Sequence, residues 1–411
     1  MGAWFLPAQR RPVCRTRRRR ARDAVSPVTD TDAWRQEVRD FLAAELPPEH
    51  AFNTEFDDSP EQWDIAVAFS RKVAAQGWIG LTWPTEYGGA GRSLQDQLVL
   101  LEELAAADAP MVNSVGTFLV AGTLLVGGTE EQKRRLLPDI ASMKTLWAEG
   151  LTEPDAGSDL SSLRTTAVRA GTDWVITGQK AYTSWGPMSD MLYVAARTSP
   201  ESSPSKAISI FCVDLRAPGV TLHPMRNFGG GVQSTTYLDH VRVGANALIG
   251  EVGRGWGYIM NAFYASGGVE PIYAVQEARL KRLIDYCTVT HGADGPLIEQ
   301  PDVIVRLAEL ARMVQGQRLL AYEQIGNTQA GRRSPYDGGV LPVVAKEWEP
   351  LFAQIFDEVL GPTSQLTRDS GRAPLDGAPE AWYRQSFANH AGGTPQVKRM
   401  VLATRGLGLP R

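Results

Sequence analysis

Apolar residues recur every three or four positions from about residue 30 to about residue 145, the period of helices with one buried face. Trp34, Val38, Phe41 and Leu42 share a face of a helix expected over 33–45, with Asp32 as N-cap and Pro47 and Pro48 as its stop. Further helices are expected over 63–76 and 94–107. Thr129 suits the cap of another, with Glu130 and Glu131 in a first turn where acids favour the helix dipole. Near Trp147 the period falls to two and stays there until about Gly250. Strands are expected over 165–170, 174–177, 191–197, 207–214, 220–224 and 235–243, with Gly171, Thr172 and Asp173 turning the first into the second. Runs of short strands of this kind form a small antiparallel sandwich or barrel. From Gly255 the helical period returns, over 256–290, 302–330, 340–360, 379–389 and 394–405, as in a bundle. The expected fold is α+β. An N-terminal α-helical domain covers 30–146, a central antiparallel β-domain 147–254, and a C-terminal helical bundle 255–411, behind a tail over 1–29.

Length and charge narrow this picture. The 411 residues suffice for two or three domains and a large core. Residues 1–29 hold eight arginines against Asp23, a local +7, so the overall −4 less +7 leaves −11 on the rest. A body of that sign is poorly suited to nucleic acid. The arginine run at 17–20 reads as a disordered extension, because no apolar face or secretory stretch accompanies it. Cys14, Cys212 and Cys287 are too scattered for a metal or disulfide framework, which favours a reduced, cytoplasmic compartment. The longest uncharged run, 109–129, is interrupted by Pro110, Asn113, Ser114, Thr117 and Thr123. It reads as a buried helix, not a membrane span.

Two segments carry candidate chemistry. In 151–159 (LTEPDAGSD), Gly157 permits close approach of the backbone to a planar ligand, while Thr152 and Ser158 supply hydroxyls. Donors of this kind stabilise an electron-rich reduced flavin ring. A polar inter-domain turn has the same composition. In 178–186 (GQKAYTSWG), Tyr182 offers a flat face and Ser184 a hydroxyl two residues on, on the same side if the segment is a strand. Alone, that pattern is more often ordinary sheet packing.

Together these segments resemble the acyl-CoA dehydrogenase family. So do 77–89 (GWIGLTWPTEYGG), the run Val241, Arg242, Val243 with 248–251 (LIGE) and Gly255, Trp256, and 392–399 (GGTPQVKR) ending in 406–411 (GLGLPR). The likeness spans about residues 30–411. It implies an α-helical domain, a β-domain and a C-terminal four-helix bundle, with FAD between the last two near a subunit interface. By position, Leu151, Thr152, Gly157 and Ser158 would line the flavin. Tyr182 stands where the family usually has tryptophan, and Ser184 where it often has threonine. Thr394 and Gln396 resemble its later cofactor contacts. The resemblance also implies an acyl-CoA substrate and an electron-transfer flavoprotein as electron acceptor.

The sequence departs from the family where the catalytic base belongs. One usual glutamate seat is Gly392, the other Ser266, followed by Gly267. Glu270, four residues beyond Ser266 and about 6 Å further along a helix, is the candidate replacement. The family's interface arginine is replaced by 291–296 (HGADGP), and its glycine-rich motif is reduced to 358–362 (EVLGP). These losses point to a homo- or hetero-oligomer in which another family chain completes the site, as in actinobacterial steroid-degrading members built of two unlike chains. A same-fold flavin monooxygenase or oxidase, and a non-catalytic partner subunit, are the alternatives.

Overall fold

A computed structural model describes residues 29–48, 59–199, 203–265, 271–332, 339–387 and 392–410. Helix α1 runs over Thr29–Glu45, so Asp32 lies inside it and is not its cap. Nothing in the polar residues before Asp32 stops the helix, and an acid in the first turn still meets the dipole. Helix α2, Pro60–Ala75, starts from Ser59 with Pro60 in its first turn. Helix α3, Leu94–Ala106, opens on a capping box between Ser93 and Asp96. The uncharged run 109–129 contains a π-helical segment, Val115–Val120, continued by helix α4, Ala121–Gly127. Helix α5, Glu130–Ala141, begins at the expected Thr129, which forms a capping box with Gln132. No helix among the described residues is long and apolar enough to cross a membrane.

The β-domain holds β1 (Trp147–Gly150), β2 (Thr166–Ala170), β3 (Asp173–Ser184), β4 (Met191–Arg197), β5 (Ile208–Asp214), β6 (Val220–Met225), β7 (Gln233–Val243) and β8 (Leu248–Ile249). Their order is β6-β7-β3-β2-β4-β5-β8, with β1 on β4. The sheet is mostly antiparallel, but β1 runs parallel to β4, as does β2 where Thr166 meets Arg197. The hairpin turn is Gly171-Thr172, with Gly171 at φ +68°, a left-handed conformation that glycine adopts without a Cβ clash. Its second strand does not stop near Thr177 but carries on through the 178–184 segment.

Alternation along the strands divides the core. Ala148, Leu192, Val194, Phe211 and Val213 point into one apolar layer with Trp174 and Ile176. Trp147, Leu151, Tyr193, Ala195 and Ile210 point into the other, which Val120 of the π-helical segment, Leu124 of α4, and Leu137 and Ile140 of α5 cover. Central strand β4 is covered on both faces, which is why Leu192–Ala196 read as an unbroken apolar run.

The helix expected over 256–290 is two helices: α6, Gly255–Ala265, and α7, Ile272–Val289. Pro271 sits before α7 with ψ 63°, outside helical range, as a residue without an N–H and with a clashing ring ends helices. Helix α6 packs on α4, and a Cβ on Gly122 would lie 2.0 Å from the Ala262 carbonyl oxygen. Only glycine allows that approach. Ile259 and Ala262 thereby join the layer containing Trp147 and Leu151. A two-stranded ribbon, β9 (His291–Gly292) and β10 (Gly295–Pro296), leads to α8, Pro301–Gln329. Helices α9 (Val340–Leu360), α10 (Ala378–Ser386) and α11 (Pro395–Val401) complete the C-terminal part. Leu283, Leu310, Met313, Phe356 and Trp382 form its apolar centre. Glu102 of α3 ties the two helical parts together. It accepts hydrogen bonds from Arg35 at 2.5 Å, Tyr273 at 2.5 Å and Tyr322 at 2.9 Å.

Candidate active site

The 151–159 loop is fixed from beneath by a buried ion pair. Lys180 of β3 donates to Glu153 Oε1 at 2.8 Å and to the Leu151 carbonyl at 3.2 Å. Glu153 also accepts from the Arg164 and Thr165 amides at 2.6 and 2.9 Å. Burial works against both charges. For Glu153, Lys180 and the bonds from Thr165 and Arg164 outweigh it and hold the carboxyl below its usual range. For Lys180, burial prevails over the pull of Glu153, and the ammonium is pushed down to about 8. The turn then closes on itself through reciprocal backbone bonds between Glu153 and Ala156 at 3.0 and 3.1 Å. Gly157 and Ser158 are left exposed beyond it. A Cβ on Gly157 would meet only Thr152 Cγ2, at 4.0 Å, so the space above it is open.

The second segment lies against the first. The Thr152 carbonyl accepts from the Ala181 amide at 2.9 Å, which sets the loop beside Tyr182. Tyr182 is 54% exposed and left-handed at φ +57°. A bulge between Lys180 and Thr183, where β3 carries two residues against one of β7, turns its ring outward. Thr183 is buried and accepts from Thr236 at 3.0 Å, while Ser184 accepts from Gln233 at 3.4 Å. Trp185, also left-handed, stacks on Trp63 of α2 with ring centroids 4.9 Å apart. Leu151, Thr152, Gly157, Ser158, Tyr182 and Ser184 therefore belong to one neighbourhood, with a free aromatic face and open backbone beside it. That arrangement fits the polar edge and face of a flavin.

Three family models match in order: the acyl-CoA dehydrogenase N-terminal domain over residues 29–144, middle domain over 148–241 and C-terminal domain over 253–407. The chain belongs to the acyl-CoA dehydrogenase family. It is 33% identical over 407 residues to acyl-CoA dehydrogenase FadE26 of Mycobacterium tuberculosis, covering 94% of this chain and 99% of that protein. It is 32% identical to acyl-CoA dehydrogenase IpdE1 of the same organism, covering 93% and 99%. Among solved structures, the ChsE4-ChsE5 complex from M. tuberculosis matches with TM-score 0.83 at 32% identity, over 94% of this chain and 99% of that one. The Tcur3481-Tcur3483 steroid ACAD matches with TM-score 0.84, also at 32%, over the same shares.

Within this acyl-CoA dehydrogenase, Thr394 and Gln396 lie apart from the loop, at the start of α11. Thr394 Oγ1 caps that helix by accepting from the Val397 amide at 3.2 Å, and Gln396 is exposed. Helix α11 is held to α9 by Arg399 and Glu347 at 2.6 Å. Gly392 is exposed at φ +68°, a backbone that favours glycine over the glutamate of relatives. Glu270 and Ser266 fall outside the described residues, as do Cys14 and the arginine run. Behind the loop is a recess of about 360 Å³ walled by Glu153, Asp155, Arg164, Gln179, Tyr237 and Asp239. Arg164 is the single cation lining it, against three acids, so it is a poor seat for a pyrophosphate.

Two features of the site were not read from the sequence. The Lys180–Glu153 pair had a signal, a lysine on the strand face that also carries the buried Trp174 and Ile176. The other is Glu149, on β1 between Trp147 and Leu151. It is half-buried, and burial pushes its carboxyl up to about 7. No described residue hydrogen-bonds to it or pairs with its charge.

Proposed function

We propose that this chain is a flavin-holding subunit of a FAD-dependent acyl-CoA dehydrogenase that introduces the α,β double bond into an acyl-CoA thioester with a bulky, steroid-type acyl group. The observation that carries this reading is the bond from Ala181 N–H to the Thr152 carbonyl, which ties the loop that continues to Gly157 and Ser158 to the strand segment that carries Tyr182. Amides and hydroxyls of Leu151, Thr152, Gly157 and Ser158 would bind the polar edge of the isoalloxazine, Tyr182 its face, and Ser184 a ring heteroatom. Thr394 and Gln396 would reach the cofactor from the bundle of this chain or a neighbour. FAD, when bound, supplies the two-electron acceptor, and an electron-transfer flavoprotein would reoxidise it.

A partner chain of the same family would complete the assembly. The recess sets Arg164 against three acids and the β9–β10 ribbon carries no arginine or lysine, which favours a pyrophosphate contact from another chain, while the solved relatives include two named as two-protein assemblies, ChsE4-ChsE5 and Tcur3481-Tcur3483. The name of the latter also supports the steroid-type substrate. Free, buried Cys212 and Cys287 suit a reducing cytoplasm. Glu270, displaced from the family's usual seat, or a partner's carboxylate at that seat would be the base. The test is an absorbance spectrum of the chain alone and co-purified with a second family chain, before and after a steroid acyl-CoA is added. Flavin bands that bleach support the proposal. Colourless protein in every assembly, or turnover that consumes oxygen in place of an electron-transfer flavoprotein, overturns it.

A further inference from the structure

The side chain of Glu149 has an unusual address. Register pairs it with Tyr193 of β4, and Tyr193 with Cys212 of β5, so the three form a polar row across an otherwise apolar sheet face. Thr123 of α4 reaches down to this row, its hydroxyl 2.8 Å from Tyr193 Oη. The apolar neighbours in the layer are Trp147 on β1 and Leu151 just after it, Val120 and Leu124 on the α4 side, and Ile259 and Ala262 on α6. Leu151 lies two residues beyond Glu149, about 7 Å along the strand and on the same face. Glu149 thus shares a sheet face with Leu151 of the loop proposed to hold the flavin edge, in the layer that α4 and α6 cover.

A carboxylate in such a layer is expensive unless paired, and three other acids near the loop have cationic partners. Glu153 is bound to Lys180, Asp190 to the Leu146 amide and Arg216, and Asp155 to Arg164. Glu149 has no such partner. The titratable groups facing it from the packed elements do not supply one. Burial holds the Tyr193 phenol well above its ordinary range and pushes the Cys212 thiol up to about 12, so both are neutral. Arg135 of α5 acts on the Cys212 thiol. Tyr258 of α6 accepts from the Glu251 amide. The π-helical segment and α4 carry no charged side chain. A carboxyl poised near 7 without a cation is suited to take up and release a proton.

We propose that Glu149 is the carboxylate that removes the α-proton of the acyl-CoA thioester. This rests on the dehydrogenase function proposed above and replaces its choice of base. In the step, the C2–H bond breaks and its proton passes to a Glu149 carboxylate oxygen. The C2 electron pair forms the C2=C3 bond as hydride leaves C3 for FAD, the two-electron oxidant of the reaction. The acyl group is oxidised by two electrons, and Glu149 later returns its proton to solvent. Glu149 acts only when ionised, so proton removal rises with pH through about 7.

The experiment follows proton removal apart from turnover. The holoprotein, with its partner chain where one co-purifies, is incubated in D2O with a 3-thia acyl-CoA bearing a steroid ring system. Sulfur at position 3 carries no hydride, so deuterium entry at C2, read by mass spectrometry, reports the proton step alone. Wild type is expected to exchange, with Glu149→Gln at least about 100-fold slower at unchanged flavin content. Glu149→Asp keeps a carboxylate and is expected to retain measurable exchange, which separates loss of the base from loss of folding. Infrared titration of the substrate-free holoprotein should show a protonated-carboxyl band disappearing near pH 7 in wild type and absent from Glu149→Gln. Exchange in Glu149→Gln within threefold of wild type overturns the assignment, as does a Glu270→Gln variant that alone abolishes it; the dehydrogenase function stands in either case if wild type bleaches. Wild-type assemblies that neither bleach nor exchange overturn both.

Discussion

Lys180 Nζ and Glu153 Oε1 meet at 2.8 Å with both side chains withdrawn from solvent, directly under the loop that ends in Gly157 and Ser158. Such a pair adds little net stability as a pair, but removing one partner strands a buried charge. Lys180→Met is expected to cost about 3–5 kcal/mol and to lower Tm by roughly 4–6 °C. Pairing it with Glu153→Leu should recover part of the loss. Thermal denaturation of the three variants checks this, and full stability of Lys180→Met alone would contradict it.

Gly157 separates folding from cofactor binding. A methyl group there touches nothing closer than 4.0 Å and the backbone φ is ordinary, so Gly157→Ala should leave Tm within about 2 °C of wild type. The same methyl would stand between the backbone and a flat ligand. FAD affinity is expected to fall at least tenfold, measured by fluorescence titration of the apoprotein.

Tyr182 gives the complementary case. The residue is 54% exposed and its backbone left-handed, so the fold gains little from it. Tyr182→Ala should change stability by less than about 1 kcal/mol. Loss of the stacking face should weaken FAD binding by about 1–2 kcal/mol and shift the flavin absorbance bands. Unaltered binding and spectrum would remove Tyr182 from the site.

Glu149 makes a prediction about folding that is independent of catalysis. Its carboxyl is raised from 4.5 to about 7, so between those values the folded chain holds a proton that the unfolded chain has released. The associated stability is full below pH 4.5 and is lost as pH rises through 7. From pH 5 to pH 8 wild type should lose about 1–2 kcal/mol relative to Glu149→Gln, at the low end because solvent reaches a half-buried side chain. Urea denaturation at the two pH values measures the difference, and parallel behaviour of the two proteins would refute it.

The helical parts were legible because their apolar stripes persist over several turns and their starts carry chemical signals, as at Thr129 with Gln132. The order of helices, strands and helices, together with the family resemblance, then located Leu151–Ser158 and Tyr182. What escaped depends on contacts distant in sequence. Strand β1 has only four residues, and its pairing partner Met191–Val194 lies more than 40 residues away. Without that parallel register, the direction of the Glu149 side chain is invisible. Nor does any local rule assign a left-handed backbone to Tyr182, since tyrosine gains nothing from it. The long helix expected across Pro271 failed for a local reason, the apolar period outweighing a proline that tertiary structure did not override.

The stacked indoles of Trp63 and Trp185 join α2 to the residue that follows Ser184. Two aromatic chromophores at this spacing couple their excited states, giving a near-ultraviolet circular dichroism signature that depends on their mutual angle. The protein thus carries an intrinsic optical gauge of how its N-terminal helices sit on the sheet. Any shift of those helices during ligand entry would be readable without a label.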